Sequence, residues 1–274
     1  MKTNITNADE LKEAVRRKYD AISRGKGNSE ESGCCSSKAD ETAEYTVFSD
    51  DYTELEGYIS DADLGLGCGL PTEFARIESG DTVVDLGSGA GNDCFVARRE
   101  VGEQGRVIGV DFSEAMVEKA RQNVEKLGYD NIEFVHGDIE SMPLDYGVAD
   151  VVVSNCVMNL VPDKMKAFEE TYRILKPGGH FSISDIVTIG ELPGALKQDA
   201  ELYAGCVAGA VRKNEYLSVI SQAGFQNIDI QKQKTIDLPD ELLLKHLSPE
   251  ELDSFRNSGN GIISITVYAE KPGR

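Results

Sequence analysis

Six cysteines stand at positions 34, 35, 68, 94, 156 and 206. No two are spaced C-x-x-C, so neither a thioredoxin-type redox pair nor a zinc ribbon is indicated. Cys34 and Cys35 are adjacent within the Gly- and Ser-rich run at 23–44. Cys68 lies between Gly67 and Gly69 in GLGCGLP, and Cys206 lies among Gly and Ala in YAGCVAGA. Small neighbours predict sterically open thiols at both places. Cys156 follows Asn155 in SNCVMNL, at the end of an apolar run. Cys94 is followed by Phe95 and Val96 and reads as core packing. Thiols at 68, 156 and 206 could meet on one soft centre, because soft ligands select soft ions. The alternatives are buried small hydrophobes or a three-thiol zinc site with a water.

Three acids stand in a second pattern. Asp85 stands near the end of the run TVVDL, which precedes Gly87-Ser88-Gly89-Ala90-Gly91. Glycines there allow a tight turn and close approach of a ligand to backbone. Asp111 ends the next apolar run, 24 residues after Gly87. A carboxylate at that distance can accept both hydroxyls of a ribose. Asp138 follows a third run and Gly137. The spacing alone also fits a dinucleotide enzyme, but Asp85 beside the loop would repel a pyrophosphate. It suits a ligand with an amino group and no phosphate, such as S-adenosylmethionine. Each acid also has a local reading: a turn cap for Asp85, a helix cap for Asp111, an Asx turn for Asp138.

These residues need elements to hold them. Strands are predicted at Thr82–Leu86, Arg106–Val110, Asn131–Val135, Asp150–Ser154 and His180–Ser184. Helices are predicted after the glycine loop, at Ser113–Lys126 and at Met165–Leu175, the last stopped by Pro177-Gly178-Gly179. That alternation gives a mostly parallel sheet covered on both faces. An amphipathic helix spans 8–22, where Leu11, Val15, Tyr19 and Ile22 recur at helical spacing. Tethered to the cysteine loop, it is placed over the ligand with Tyr19 near it. Toward the C-terminus, helices are expected at Leu192–Val211 and Asn214–Ala223, and strands at Asn227–Ile230 and Ile262–Ala269. The acidic stretch between those strands leaves the sheet and returns. Cap (1–74), core (75–187) and annex (188–274) are the expected divisions.

The chain has 274 residues, 40% apolar and 28% charged, with net charge −20. It can bury a core, and it repels nucleic acid and anionic membranes over most of its surface. No signal peptide or bilayer-length apolar run is read, so the expected setting is a reducing cytosol with thiols reduced. The three histidines have no partners at metal spacing.

The runs VVDLGSGAGND, VIGVDFSEAMVEKA and FVHGDIESMP together resemble class I S-adenosylmethionine-dependent methyltransferases. The resemblance implies a Rossmann-like α/β fold with a mostly parallel seven-stranded sheet, an N-terminal cap and a smaller C-terminal substrate annex. It implies that Asp85 and the loop Gly87, Gly89 and Gly91 hold the methionine portion. Asp111 then takes the ribose, and Asp138 with the Ile139 amide takes the adenine. Asn155 ends the fourth strand, where ligand contacts gather. Met116 packs beside adenine or serves only as helix core.

The cysteine segments narrow the likeness. GLGCGLP, GNDCF, SNCVMNL, YAGC and the vicinal pair after VRRKY resemble arsenite S-adenosylmethionine methyltransferases over nearly the whole chain. That likeness implies Cys68, Cys156 and Cys206 as ligands of trivalent arsenic, with Cys34 or Cys35 accepting arsenic or exchanging disulfides. It implies small-molecule thiols or a thiol reductant as partners, no nucleic acid, no membrane, and a monomer. The chain ends soon after Ala269, without the cysteine-rich tail of some relatives. The alternative is a C-methyltransferase of a quinone or sterol, which would need a greasy pocket and a general base or aromatics. Only 7% of the residues are aromatic and tryptophan is absent.

Overall fold

The computed structural model describes residues 8–25, 52, 55–197 and 209–273. The predicted alternation is present: β1 (Thr82–Leu86), α2 (Asn92–Val101), β2 (Arg106–Asp111), α3 (Glu114–Leu127), β3 (Ile132–His136), β4 (Ala149–Asn155), α4 (Lys164–Ile174) and β5 (Leu175–Ile189). Helix α1 (Ala8–Gly25) precedes them. After β5 come α5 (Gly194–Lys197), α6 (Lys213–Gln222), β6 (Gln226–Ile236), α7 (Asp240–Leu243), α8 (Pro249–Asn257) and β7 (Gly261–Glu270).

The strands form one seven-stranded sheet in the order β3-β2-β1-β4-β5-β7-β6. Strands β1 to β5 pair in parallel, and β7 runs antiparallel between β5 and β6. Central strands covered on both faces must be apolar throughout, and Val83, Val84 and Leu86 of β1 are fully buried. One face packs Phe168, Phe181, Phe225 and Tyr216. The other packs Phe95 against Phe134. Truncating such a ring to Ala costs about 3–5 kcal/mol. The chain winds outward from β1 through β2 to β3, then restarts at β4 on the other side of β1. That reversal opens a crevice at the strand carboxyl ends, where open α/β sheets bind ligands.

Several elements differ from expectation. β5 begins at Leu175, not His180, so Pro177-Gly178-Gly179 belongs to an irregular strand start rather than a helix stop. The register shifts there, and the segment is pinned by Lys271 N to Gly179 O at 2.8 Å and Gly178 N to Lys271 O at 3.0 Å. β6 extends to Ile236 because QKQKTI is an edge strand, where polar and lysine residues blunt further pairing. Of the expected helix over Leu192–Val211, the described residues show Gly194–Lys197. Pro193 delays its start to Gly194, residues 209–211 are not helical, and 198–208 lie outside the described residues. The acidic stretch before β7 contains α7 and α8. The second is fixed by a capping box, Ser248 with Glu251, and by Pro249 at its first turn. Among the described residues no helix is long and apolar enough to cross a membrane.

Candidate active site

The crevice is a cleft of about 1100 Å³, mouth included. Its walls come from the predicted glycine loop, the ends of β2 and β4, the 138–139 turn and α1. Gly87 has φ 70°, and a Cβ there would run into the Val157 side chain. Only glycine lets this backbone come so close to the loop that follows β4. Gly91 lies at the N-cap of α2 with φ 99°, behind the lining formed by Gly87, Ser88, Gly89 and Ala90.

Asp111 is buried at the cleft wall. Its Oδ2 accepts the Gly89 N–H at 2.9 Å and its Oδ1 accepts the Ser113 N–H at 2.8 Å. The helix cap itself is Ser113, which accepts Met116 N–H. Each Asp111 oxygen keeps a second acceptor position toward the cleft. Burial pushes the carboxyl up to about 6, against the lowering effect of those two amides. Asp138 accepts Glu140 N–H on Oδ1 at 2.9 Å, an Asx turn, and Lys12 Nζ on Oδ2 at 2.6 Å. Ile139, Met116 and Tyr19 also line the cleft.

Asp85 does not line it. Its carboxyl is buried behind the loop, where Cys94 Sγ donates to Oδ2 at 3.3 Å. Burial and then neighbouring Asp93 push Asp85 well up. Asp93, in the first turn of α2, lines the cleft instead, together with Tyr52. Neither was singled out from sequence, although GND opens a helix, where an acid meets the positive end of the dipole. The Tyr52 hydroxyl lies 3.0 Å from Asp93 Oδ1. Burial raises Asp93 to about 6, opposed by hydrogen bonds from Tyr52 and Asn155.

These walls fit S-adenosylmethionine. Asp63, Asp93, Asp111 and Asp138 face the cleft, with Lys12 as the basic residue of the lining. Lys12 already donates to Asp138 and to Glu140 Oε2 at 2.6 Å. A pyrophosphate would meet repulsion here, whereas a cationic ligand relieves buried carboxylates. Two lining atoms, Ser88 Oγ and Asn92 Oδ1, are buried without a hydrogen-bond partner among the described residues. Buried polar atoms of that kind ask for a ligand.

Of the thiols, Cys156 lines the cleft and Cys68 is buried beside it. Asn155, at the end of β4, accepts Cys68 N–H on Oδ1 at 2.9 Å and donates Nδ2 to Gly69 O at 2.8 Å. Nδ2 also contacts Asp93 and the Tyr52 hydroxyl. So Asn155 both lines the cleft and staples the Cys68 loop to the sheet. The flanking glycines make that docking possible. A Cβ on Gly67 would come within 2.7 Å of Asn155 Nδ2, and one on Gly69 within 2.5 Å of Ser184 Oγ. This corrects the expectation of an open thiol at 68. The small neighbours bring the backbone against β5, and Cys68 is 1% exposed. Cys156 has φ 60°, a left-handed conformation uncommon outside glycine. Its N–H bonds Ser184 O at 2.8 Å. Such strain concentrates at functional sites. Cys156 lines the cleft.

Cys68 Sγ, Cys156 Sγ and an Asp185 carboxyl oxygen lie within 4.8 Å of one another, all buried. Asp185 is pushed up to about 7 by burial, opposed first by the charge of Lys164. It was not foreseen, although an acid inside the apolar run FSISDIV is itself a signal. Cys94 is fully buried and distant in role, serving Asp85. Cys34, Cys35 and Cys206 lie outside the described residues. His136 and His180 bond the backbone carbonyls of Phe112 and Ala75.

Residues 77–224 match a family model described as a methyltransferase domain. The arsenite methyltransferase of Halobacterium salinarum is 38% identical over 275 residues, 97% of this chain and 68% of that protein. The arsenic(III) S-adenosylmethionine methyltransferase of Chlamydomonas reinhardtii superposes with a TM-score of 0.64 at 35% identity, over 75% of this chain and 68% of that one. A demethylmenaquinone methyltransferase of Listeria welshimeri is 34% identical over only 113 residues, 41% of this chain and 48% of its own. The quinone enzyme thus shares a stretch, whereas the Halobacterium salinarum arsenite enzyme aligns over nearly the whole chain. The chain belongs to the arsenite methyltransferase family, S-adenosylmethionine-dependent enzymes on the class I methyltransferase fold.

Proposed function

We propose that Cys68, Cys156 and Cys206 hold trivalent arsenic at the inner end of the cleft, with its lone pair turned toward the cofactor. The reaction is methylation of arsenite by S-adenosylmethionine, giving methylated arsenicals and S-adenosylhomocysteine. The observation that carries the site reading is the meeting of two thiols from separate segments, one of them in the cleft wall.

S-adenosylmethionine, when bound, supplies an electrophilic sulfonium methyl group. Asp111 accepts the ribose hydroxyls, and Asp138 and the Ile139 amide take the adenine. The loop Gly87, Gly89 and Gly91 cradles the methionine portion, with Met116, Asn155 and Tyr19 closing the walls. Asp93 faces the ammonium, and Asp85 supports it from behind. The arsenic lone pair carries no proton, so the residues need no general base at the nucleophile. Their work is placement and exclusion of water. Thiolates are the binding form, and arsenic displaces their protons as metals do.

Cys34 and Cys35 deliver arsenic or exchange disulfides during turnover, with a small-molecule thiol or thiol reductant as co-reactant. The same reading makes the protein a monomer of a reducing cytosol with no nucleic-acid partner, in keeping with net charge −20. It divides the chain into cap (1–74), cofactor core (75–187) and substrate annex (188–274).

Cys156→Ser keeps the size of the side chain but offers hard oxygen in place of sulfur. It should abolish arsenite methylation while S-adenosylmethionine still binds. Cys94→Ser should still methylate. Mass spectrometry of the arsenical product reads both. Full methylation by Cys156→Ser would instead favour an organic substrate.

A further inference from the structure

Asp185 is fully buried in β5. Its Oδ1 accepts the N–H of Ile186 at 3.0 Å. The Tyr216 hydroxyl and the Asn159 amide lie beside the carboxyl as further donors. A carboxylate has about four acceptor positions, so these donors leave room for one more. One of its oxygens lies with the two thiols in a triangle no wider than 4.8 Å. A metalloid bonded to two sulfurs at about 2.3 Å, the zinc–thiolate length, fits inside it.

Arsenite reaches the protein as As(OH)3. Two thiols replace two hydroxyls: As(OH)3 plus Cys68–SH and Cys156–SH gives (Cys–S)2As–OH and two waters. No oxidant or reductant is needed, and each thiol proton leaves in a water. The product still carries one hydroxyl, which projects from arsenic away from both sulfurs. We infer that the Asp185 carboxylate is the acceptor for this arsenic hydroxyl, making Asp185 a specificity-determining residue for inorganic arsenite. The inference rests on the proposed thiol site and deepens it. A third thiol would later expel that hydroxyl as water.

A monomethyl arsenical gives a direct contrast. CH3As(OH)2 loses both hydroxyls to the two thiols and leaves (Cys–S)2As–CH3, which has nothing to donate. A merely structural Asp185 would serve both substrates alike. The test is therefore a ratio: kcat/KM for arsenite over kcat/KM for monomethylarsonous acid, measured on the full chain. The ratio does not depend on the folded fraction. Asp185→Asn should lower it about tenfold, the worth of one hydrogen bond to a charged group, with Asp185→Ser read the same way should the amide variant not fold. An unchanged ratio in the variant that folds overturns the assignment. So does stoichiometric zinc in the purified protein that is lost on Asp185→Asn, since the triangle would then be a metal site. Direct binding of both arsenicals to Cys156→Ser separates the two levels. Loss of both there with an unchanged Asp185 ratio sinks only the hydroxyl assignment, whereas full retention of both sinks the thiol site beneath it.

Discussion

Asp111 shows how one side chain carries a site. Two backbone amides fix its carboxylate, and its remaining acceptor positions face the cleft. Asp111→Ala should weaken S-adenosylmethionine about tenfold or more, since a hydrogen bond to a charged group is worth about 1.5–3 kcal/mol. Titration calorimetry reads this, and undiminished affinity would remove Asp111 from the site. The residue types at 85, 111 and 138 were readable because each stands at or near the end of an apolar run. Which of the two acids beside the glycines would face the ligand was not. Both are buried, and which of them lines the cleft depends on how α2 leaves the loop, which sequence spacing does not resolve. Cys68 was misread for a similar reason. Glycine neighbours signal close approach of backbone, and whether to solvent or to a sheet depends on what lies opposite.

At the scale of elements, the strands and helices from β1 to β4 follow from alternation alone. Elements whose pattern is set by an edge or a cap rather than by the core were harder. β6 is too polar to read as a strand of its full length, and α7 and α8 are too short for a period. Helix α1 was readable from its apolar stripe, but not its anchoring. Val15 is buried, Lys12 bridges Asp138 and Glu140, and the Ser113 hydroxyl donates to Asp20 Oδ1 at 2.6 Å. Partly exposed ion pairs of this kind contribute at most about 1 kcal/mol each. Amides of α1 should exchange more slowly once S-adenosylmethionine fills the cleft. Lys12→Ala should speed their exchange in the ligand-free protein. Protection indifferent to the ligand would contradict a closing role for α1.

Across the whole molecule, the concentration of buried acid sets a pH dependence. Asp93 and Asp111 titrate near about 6 and Asp185 near about 7, all raised by burial above the ordinary 3.8. Between 3.8 and those values the folded chain holds more protons than the unfolded chain. Stability from these groups is thus greatest on the acid side of the window and is lost as pH rises through 6 to 7. Each group contributes up to about 1.4 kcal/mol per pH unit. The ligand-free protein should have a higher urea midpoint at pH 5.5 than at pH 8. S-adenosylmethionine should narrow the gap, because a cation favours the ionised carboxylates. A midpoint that rises with pH over this range would show that these carboxyls are not raised.

Arsenic K-edge X-ray absorption on the arsenite complex tests the central claim most directly. The thiol site predicts three sulfur neighbours at about 2.3 Å, by likeness to a zinc–thiolate bond. Cys68→Ser and Cys156→Ser should each remove one sulfur, and Cys94→Ser should remove none. A sulfur shell that is unaltered in both Cys68→Ser and Cys156→Ser would contradict the account.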